Sequence, residues 1–165
     1  MNLKALFLAL LVVFTAAFAV AEDQSTVKMT DYGIYIRTKP TALIDAPNTQ
    51  TGVVNDKMKY KFTERTLTVP GAVGTSFGYQ WTFSAPAGTP PVEFSMRTIH
   101  PPTKNPKTGE TATIDQYTKE YSPNTTMLRG FTFEEEWEIA PGKWTMQVYL
   151  GDKVILEKTF TVVVR

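Results

Sequence analysis

The sequence contains no cysteine, and this absence excludes several classes of protein at once. Disulfide bonds, zinc sites built on thiolates and thiol nucleophiles all require cysteine. An exported lipoprotein also needs it, as the acceptor of its lipid. Exported domains of this size often carry disulfides, so a domain without them must be held by its own hydrophobic core.

Histidine is nearly as scarce, because His100 is the only one in the chain. A Ser-His-Asp triad therefore has one available base, and the one Gly-x-Ser-x-Gly match, Gly74 to Gly78, leads into a predicted strand rather than into the helix that follows a nucleophile elbow. Copper carriage would require Met96, His100 and Met127 to converge, whereas methionines on sandwich strands usually fill the core. We expect a protein that is not an enzyme, that has neither metal nor other cofactor, and in which His100 is partly exposed at a strand end.

The chain also has almost no net charge, since 17 Lys and Arg oppose 16 Asp and Glu. Lys4 belongs to the N-terminal leader described next, so the rest of the chain is neutral. A neutral chain exerts no general attraction on nucleic acid or on anionic membranes. We expect neither as a partner.

The N-terminus has the pattern of a secretory signal peptide. A short positive segment precedes the uncharged run from Ala5 to Phe18, which has the length of a signal-peptide core. Small residues at Ala19 and Ala21 predict cleavage after Ala21, with Ala19 as the second choice, and hence a periplasmic or secreted protein without membrane insertion. The alternative is an uncleaved anchor, for which the run is short of the roughly 20 residues that a spanning helix needs.

Beyond a flexible lead at residues 22–30, the chain is dominated by alternation of apolar and polar residues, with little that suggests an amphipathic helix. We predict one domain over residues 31–165. About seven or eight short strands at this spacing predict an antiparallel, immunoglobulin-like β-sandwich, with a closed barrel as the alternative. The clearest strand has a wholly aromatic face, formed by Phe77, Tyr79, Trp81 and Phe83.

Two details of strand pairing can be predicted as well. The strand over residues 59–69 changes the parity of its apolar positions, which indicates a β-bulge near Glu64 to Thr66. Near the C-terminus, a three-residue loop from Gly151 to Lys153 places Trp144 opposite Phe160, so that apolar residues face each other.

Two long segments, residues 38–57 and 100–128, have the composition of connections, the second with a short strand around 113–121. Long ordered loops are frequent binding elements, so the second is the better candidate for a functional surface. Its tyrosines and lysines suit contact with a glycan or a protein, although they equally suit a loop that only packs across the sandwich. The candidate contact residues are His100, Lys104, Lys107, Tyr117, Lys119 and Tyr121.

The densest acidic run is Glu134, Glu135, Glu136 and Glu138. In a strand, Glu135 falls on the face of Trp137 and the other three fall on the opposite face. Paired carboxylates can serve glycoside hydrolysis, but a solvated strand face is the favoured interpretation. Glu135 would need a partner if it were buried.

Seven short motifs along the chain are informative: Asp31-Tyr32-Gly33-Ile34-Tyr35, Pro70-Gly71, Gly74-Thr75-Ser76-Phe77-Gly78, His100-Pro101-Pro102, Glu136-Trp137-Glu138, Pro141-Gly142-Lys143-Trp144-Thr145 and Phe160-Thr161-Val162. With them the chain resembles an uncharacterised family of bacterial exported proteins, defined by a domain of unknown function with an immunoglobulin-like fold. The resemblance covers about Asp31 to Val164. It implies a bacterial source and a periplasmic or secreted location, and it transfers no catalytic residues.

These observations predict an exported, monomeric, non-catalytic binding or structural module whose partner is an unknown protein or glycan. One alternative is a pilus-type or surface-assembly subunit, which would need an open groove beside residues 160–164 for a donor strand. Another is a secreted glycan-acting hydrolase, which would need a pocket with two carboxylates, or His100 within hydrogen-bond reach of a hydroxyl.

Overall fold

The computed structural model describes residues 25–38, 42–56 and 59–164, which fold as two β-sheets packed face to face. The predicted signal peptide and its cleavage sites lie outside these residues. The predicted lead over residues 22–30 is too long, because the first strand already begins at Thr26. Val27 and Met29 are paired with Phe83 and Trp81 and pack against the core, which fixes this segment.

The two separate sheets confirm the immunoglobulin-like sandwich and contradict the closed barrel. Eleven strands are described, more than expected: β1 (Thr26–Arg37), β2 (Ala42–Asp45), β3 (Val53–Asp56), β4 (Tyr60–Glu64), β5 (Thr68–Pro70), β6 (Ser76–Ser84), β7 (Val92–Lys104), β8 (Thr111–Tyr121), β9 (Thr125–Thr132), β10 (Gly142–Leu150) and β11 (Lys153–Val163). The first sheet has the order β4-β1-β6-β9 and the second β5-β11-β10-β7-β8, while β2 and β3 form a separate hairpin. Among the paired strands that the structure describes, only β5 and β11 run parallel.

The core lies between the sheets and is largely aromatic. The predicted aromatic face of β6 is confirmed, because its four rings are all buried. Trp144 on β10 lies against Phe131 and Phe133, with ring centroids 4.9 and 5.5 Å away. Its indole N–H donates to the Ala140 carbonyl at 2.8 Å, so the polar atom of this buried ring is satisfied.

The predicted single strand over residues 59–69 is wrong, and its change of parity has a different cause. The chain leaves the first sheet after β4 and enters the second as β5. The change of parity therefore separates strands of two different sheets: Val69 on β5 is fully buried in the core, whereas Leu67 lies before β5 and is exposed. The bulge lies earlier than predicted, at Thr63, because Ile34 pairs with Glu64 while Tyr35 pairs with Phe62.

The predicted register between β10 and β11 is confirmed, but the predicted three-residue loop between them is wrong. Trp144 lies opposite Phe160, as expected. However, Leu150 pairs with Lys153, so the turn has only two residues, Gly151 and Asp152. Ile155 has no partner on β10, because Val148 pairs with Leu156 and Tyr149 pairs with Val154. A bulge at Ile155 therefore takes the place of the predicted longer loop.

The two predicted long connections contain strands. Residues 38–57 include the hairpin of β2 and β3, and residues 100–128 include the end of β7, all of β8 and the start of β9. Pro101 and Pro102 do not end β7, because the β7–β8 register shifts between Ile99 and Thr103 and leaves the prolines in the irregular stretch.

The acidic run is not a strand, since β9 ends at Thr132 and Glu136–Glu138 form a 3₁₀ helix. Glu135 is exposed, and Glu138 is the buried member at 2 % exposure. The Glu138 carboxylate accepts the backbone N–H groups of Glu134 and Glu135, which caps the helix. In residues 25–38, 42–56 and 59–164, no helix has the length and apolarity needed to cross a membrane.

Candidate functional site

A cleft of about 650 Å³ opens where the edge strands of the two sheets meet. One wall is β9, the last strand of the first sheet, and another is β8, the last strand of the second. The third wall is the β2–β3 hairpin with its turn, residues 42–56, which we call the cleft hairpin. Sites for small molecules in proteins have volumes of this order, so the cleft is the candidate site.

The cleft hairpin is fastened to the second sheet through Gln50 in its turn. The Gln50 backbone N–H donates to Asp115 Oδ1 at 2.8 Å, and its side-chain amide donates to the Thr103 carbonyl at 2.9 Å. Thr103 Oγ1 donates to Gln50 Oε1, and the Asn105 side chain donates to the Gln50 carbonyl at 2.9 Å. These four bonds, made to partly buried groups, hold the third wall in place.

Arg129 is the buried cation of the cleft. Alternation along β9 turns it inward between Met127 and Phe131, and only 4 % of it is exposed. Nη2 donates to Thr98 Oγ1, the guanidinium carbon lies 5.7 Å from the centre of the Tyr117 ring, and Nε has no acceptor. Within the described part of the chain, no carboxylate lies within 4.0 Å of this guanidinium.

Tyr35 and Gly130 shape the cleft beside Arg129. A side chain at residue 130 would place its Cβ only 2.5 Å from the Tyr35 hydroxyl, so the absence of a side chain makes room for the ring. Burial raises the pKa of Tyr35 to about 12. The Tyr35 hydroxyl is hydrogen-bonded to the Thr132 side chain, and a phenol is protonated near neutral pH even at its ordinary pKa of 10.

His100 is buried rather than partly exposed, which corrects the expectation drawn from its position before two prolines. It is 4 % exposed and is stacked on Trp144 with ring centroids 4.7 Å apart. Nδ1 lies 2.8 Å from the Pro101 carbonyl, and Nε2 lies 3.4 Å from Asp115 Oδ2 without completing a hydrogen bond. Both ring nitrogens face acceptors of the protein, so the ring is packed within the fold and offers no surface contact.

Of the other candidate contact residues, the structure brings three together and leaves two apart. Tyr117, Lys119 and Tyr121 line the cleft from β8. Lys104 and Lys107 are exposed near the β7–β8 turn and do not line it. The predicted surface is therefore divided between a cleft wall and the β7–β8 turn, which contacts the cleft hairpin through Asn105.

The most informative residue of the cleft, Arg129, was missed by the sequence reasoning. Its signal was present in the alternation of Met127, Arg129, Phe131 and Phe133, which places a cation among inward-facing apolar residues. The predicted connection over residues 100–128 ends just before Arg129, and the predicted alternation begins at Phe131, so Arg129 was assigned to neither.

Carboxylates also line the cleft, but the best placed of them are occupied. Glu134 forms an ion pair with Arg37. Glu138 caps the 3₁₀ helix, and burial raises its pKa from the usual 4.5. Asp115 accepts from the Gln50 N–H and faces His100.

Among the described residues, no three His, Asp or Glu side chains form a group that could hold a metal ion. Met96 and Met127, considered for copper, are buried in the core.

Comparison with known proteins identifies the fold and the family. Among solved structures, an immunoglobulin-like protein from Pseudomonas aeruginosa is similar, with a TM-score of 0.60 and 21% sequence identity over 84% of this chain and 97% of that chain. Among curated proteins, none matches. A family model described as a domain of unknown function, DUF3859, matches residues 23–162, which confirms the resemblance noted in the sequence. The chain belongs to the family defined by this domain.

Proposed function

We propose that this protein is an exported, non-catalytic binding module that holds its ligand in the cleft. The observation that carries the proposal is the cleft itself, which has about 650 Å³ and is bounded by β8, β9 and the cleft hairpin. Concave sites with mixed apolar and polar walls are the usual places for ligands. Export is supported by the N-terminal pattern, with its uncharged run from Ala5 to Phe18 and its small residues at Ala19 and Ala21.

The absence of catalysis is supported by how the reactive groups are occupied. A general base needs a free position within hydrogen-bond reach of its substrate. Both nitrogens of His100 face acceptors within the protein. Glu134 and Glu138, which would form the carboxylate pair of a hydrolase, are engaged with Arg37 and with backbone N–H groups. These partners favour binding over chemistry.

Strand donation, the alternative suggested by the sequence, finds less support. A donor strand would have to enter beside residues 160–164. That position is taken by β5, whose Thr68 and Val69 pair with Thr161 and Val162. The open space of the sandwich lies instead at the cleft, on the far side of the second sheet.

The proposal can be tested by screening ligands against the purified protein and two matched variants. Thr126→Trp places a large ring on an exposed position of the cleft wall, whereas Thr113→Trp makes the same change on an exposed position of β8 that does not line the cleft. Glycans, short peptides and small metabolites would be screened by the change in melting temperature. A ligand at about 100 times its dissociation constant stabilises the folded state by about 2.7 kcal/mol.

We expect at least one ligand that raises the melting temperature of the wild-type protein and of Thr113→Trp but not that of Thr126→Trp. Circular dichroism of both variants controls for folding. Ligands that stabilise Thr126→Trp as strongly as the wild type would place the site elsewhere and refute the proposal.

A further inference from the structure

We infer that the cleft recognises a carboxylate through Arg129, and that its ligand is a small organic acid with an aromatic or apolar body. This inference rests on the proposed function, and it adds the chemical class of the ligand. Its basis is a buried guanidinium on the wall of a cleft, with a donor that has no acceptor.

The charge of Arg129 is not balanced by the protein around it. Removing a cation from water is costly unless it is paired and fully hydrogen-bonded, and an apolar residue of similar volume would pack at such a position without that cost. The described residues provide one side-chain acceptor, Thr98 Oγ1, and the face of the Tyr117 ring. A candidate counter-charge in the cleft lining, Asp115 on β8 of the other sheet, is directed to Gln50 and His100.

A carboxylate matches what remains of the guanidinium. Arginine has five N–H donors in a planar arrangement, and two of them can bind both oxygens of one carboxylate. Nε of Arg129 is the donor without an acceptor. Nε is shielded from solvent in this structure, so the guanidinium must turn toward the cleft to bind an anion there, which would satisfy this donor and neutralise the buried charge at the same time.

The remaining cleft wall indicates the rest of the ligand. The rings of Tyr35, Tyr117 and Tyr121 line the cleft together with Leu128 and Phe131. Aromatic walls favour flat or apolar bodies. Glu120 and Lys119 also line the cleft, and their charges are opposite. Neither of them is buried, so Arg129 is the buried cation among these groups.

The test compares organic acids with their uncharged amides. Phenylacetate and indoleacetate would be titrated into the purified protein by calorimetry, with phenylacetamide and indoleacetamide as neutral controls. The Arg129 Nε–H signal in the nitrogen–proton NMR spectrum reports directly on the donor. Arg129→Met removes the charge while keeping a similar length, and Arg97→Met is the matched control, since Arg97 is half-buried on β7 and lies outside the cleft lining.

We expect each acid to bind at least about tenfold more tightly than its amide and to shift the Arg129 Nε–H signal. Arg129→Met should weaken the binding of each acid at least about tenfold, whereas Arg97→Met should not. Charge-assisted hydrogen bonds have this magnitude. Equal binding of acid and amide, both lost in Thr126→Trp, would overturn the inference and leave the cleft as a binding site. Unchanged binding in Arg129→Met would overturn it as well. Failure of both acids to bind at about 10 mM would also overturn it, and the ligand screen would then decide the proposed function separately.

Discussion

Trp144 is the residue whose removal should affect the fold most, and the structure gives the magnitude. Its side chain is fully buried and contacts Phe77, Phe131 and Phe133. A buried tryptophan removes about 200 Å² of surface from water, which at roughly 25 cal/mol per Å² corresponds to at most about 5 kcal/mol. Trp144→Ala also leaves the Ala140 carbonyl without its donor. We expect a loss of about 4 kcal/mol in the free energy of unfolding.

Urea denaturation followed by far-ultraviolet circular dichroism would measure this loss. Trp137→Ala is the matched control, because that ring is only half-buried beside the 3₁₀ helix, and we expect it to cost about 1 kcal/mol. Domains of this size have total stabilities of about 5–15 kcal/mol, so Trp144→Ala should fold only marginally. A loss below about 1 kcal/mol, or one equal to that of Trp137→Ala, would refute the view that the aromatic core depends on Trp144.

Three further variants test other parts of the structure. Gly78→Ala would place a Cβ 2.2 Å from the Arg129 carbonyl on the neighbouring strand, so we expect a loss of about 2 kcal/mol or more in chemical denaturation, against a smaller loss for Gly88→Ala, which has open space around it. Arg129→Met should leave the stability of the ligand-free protein unchanged or raise it by about 1 kcal/mol, because the desolvation cost of the charge disappears; a loss above about 2 kcal/mol would mean that the arginine is structural. Glu138→Gln should change how stability depends on pH. Burial raises the Glu138 pKa above the usual 4.5, so the folded protein binds this proton more tightly than the unfolded chain. The stabilising contribution of the protonated form is therefore present below about pH 4.5 and is lost as the pH rises through the raised pKa. The wild type should be more stable relative to Glu138→Gln at about pH 3 than at about pH 7, and a pH-independent difference would contradict the assignment.

The core strands could be predicted from the sequence because their burial is regular. The alternation around Trp81 sets β6 in the middle of the first sheet, where β1 and β9 flank it. The β10–β11 register followed from matching Trp144 with Phe160, since a shift by one residue would have turned apolar side chains toward polar ones. Local patterns are informative wherever a strand has one face wholly in the core.

The remaining parts depend on contacts that the local pattern does not contain. Pro101 and Pro102 indicated a loop, but a register shift accommodates them within β7. Glu138 alternated as a strand residue should, although a 3₁₀ turn buries it. The cleft lies where the edges of two sheets meet, so predicting it requires the order of all the strands. The alternation of β9 indicates that Arg129 faces inward, but its position in a cleft follows only from its neighbours in the other sheet.

The cleft hairpin has a consequence for the behaviour of the protein in concentrated solution. Edge strands present rows of unpaired backbone groups that can pair with another chain and start aggregation. At β8, the Gln116 N–H donates to the Asn48 carbonyl of the hairpin at 2.9 Å, and β9 lies across the cleft from the same hairpin. The segment that forms the third wall of the binding site thus also covers part of the β8 edge. A ligand that holds this hairpin in place would keep that edge covered, so it should protect the protein from aggregation as well as from unfolding.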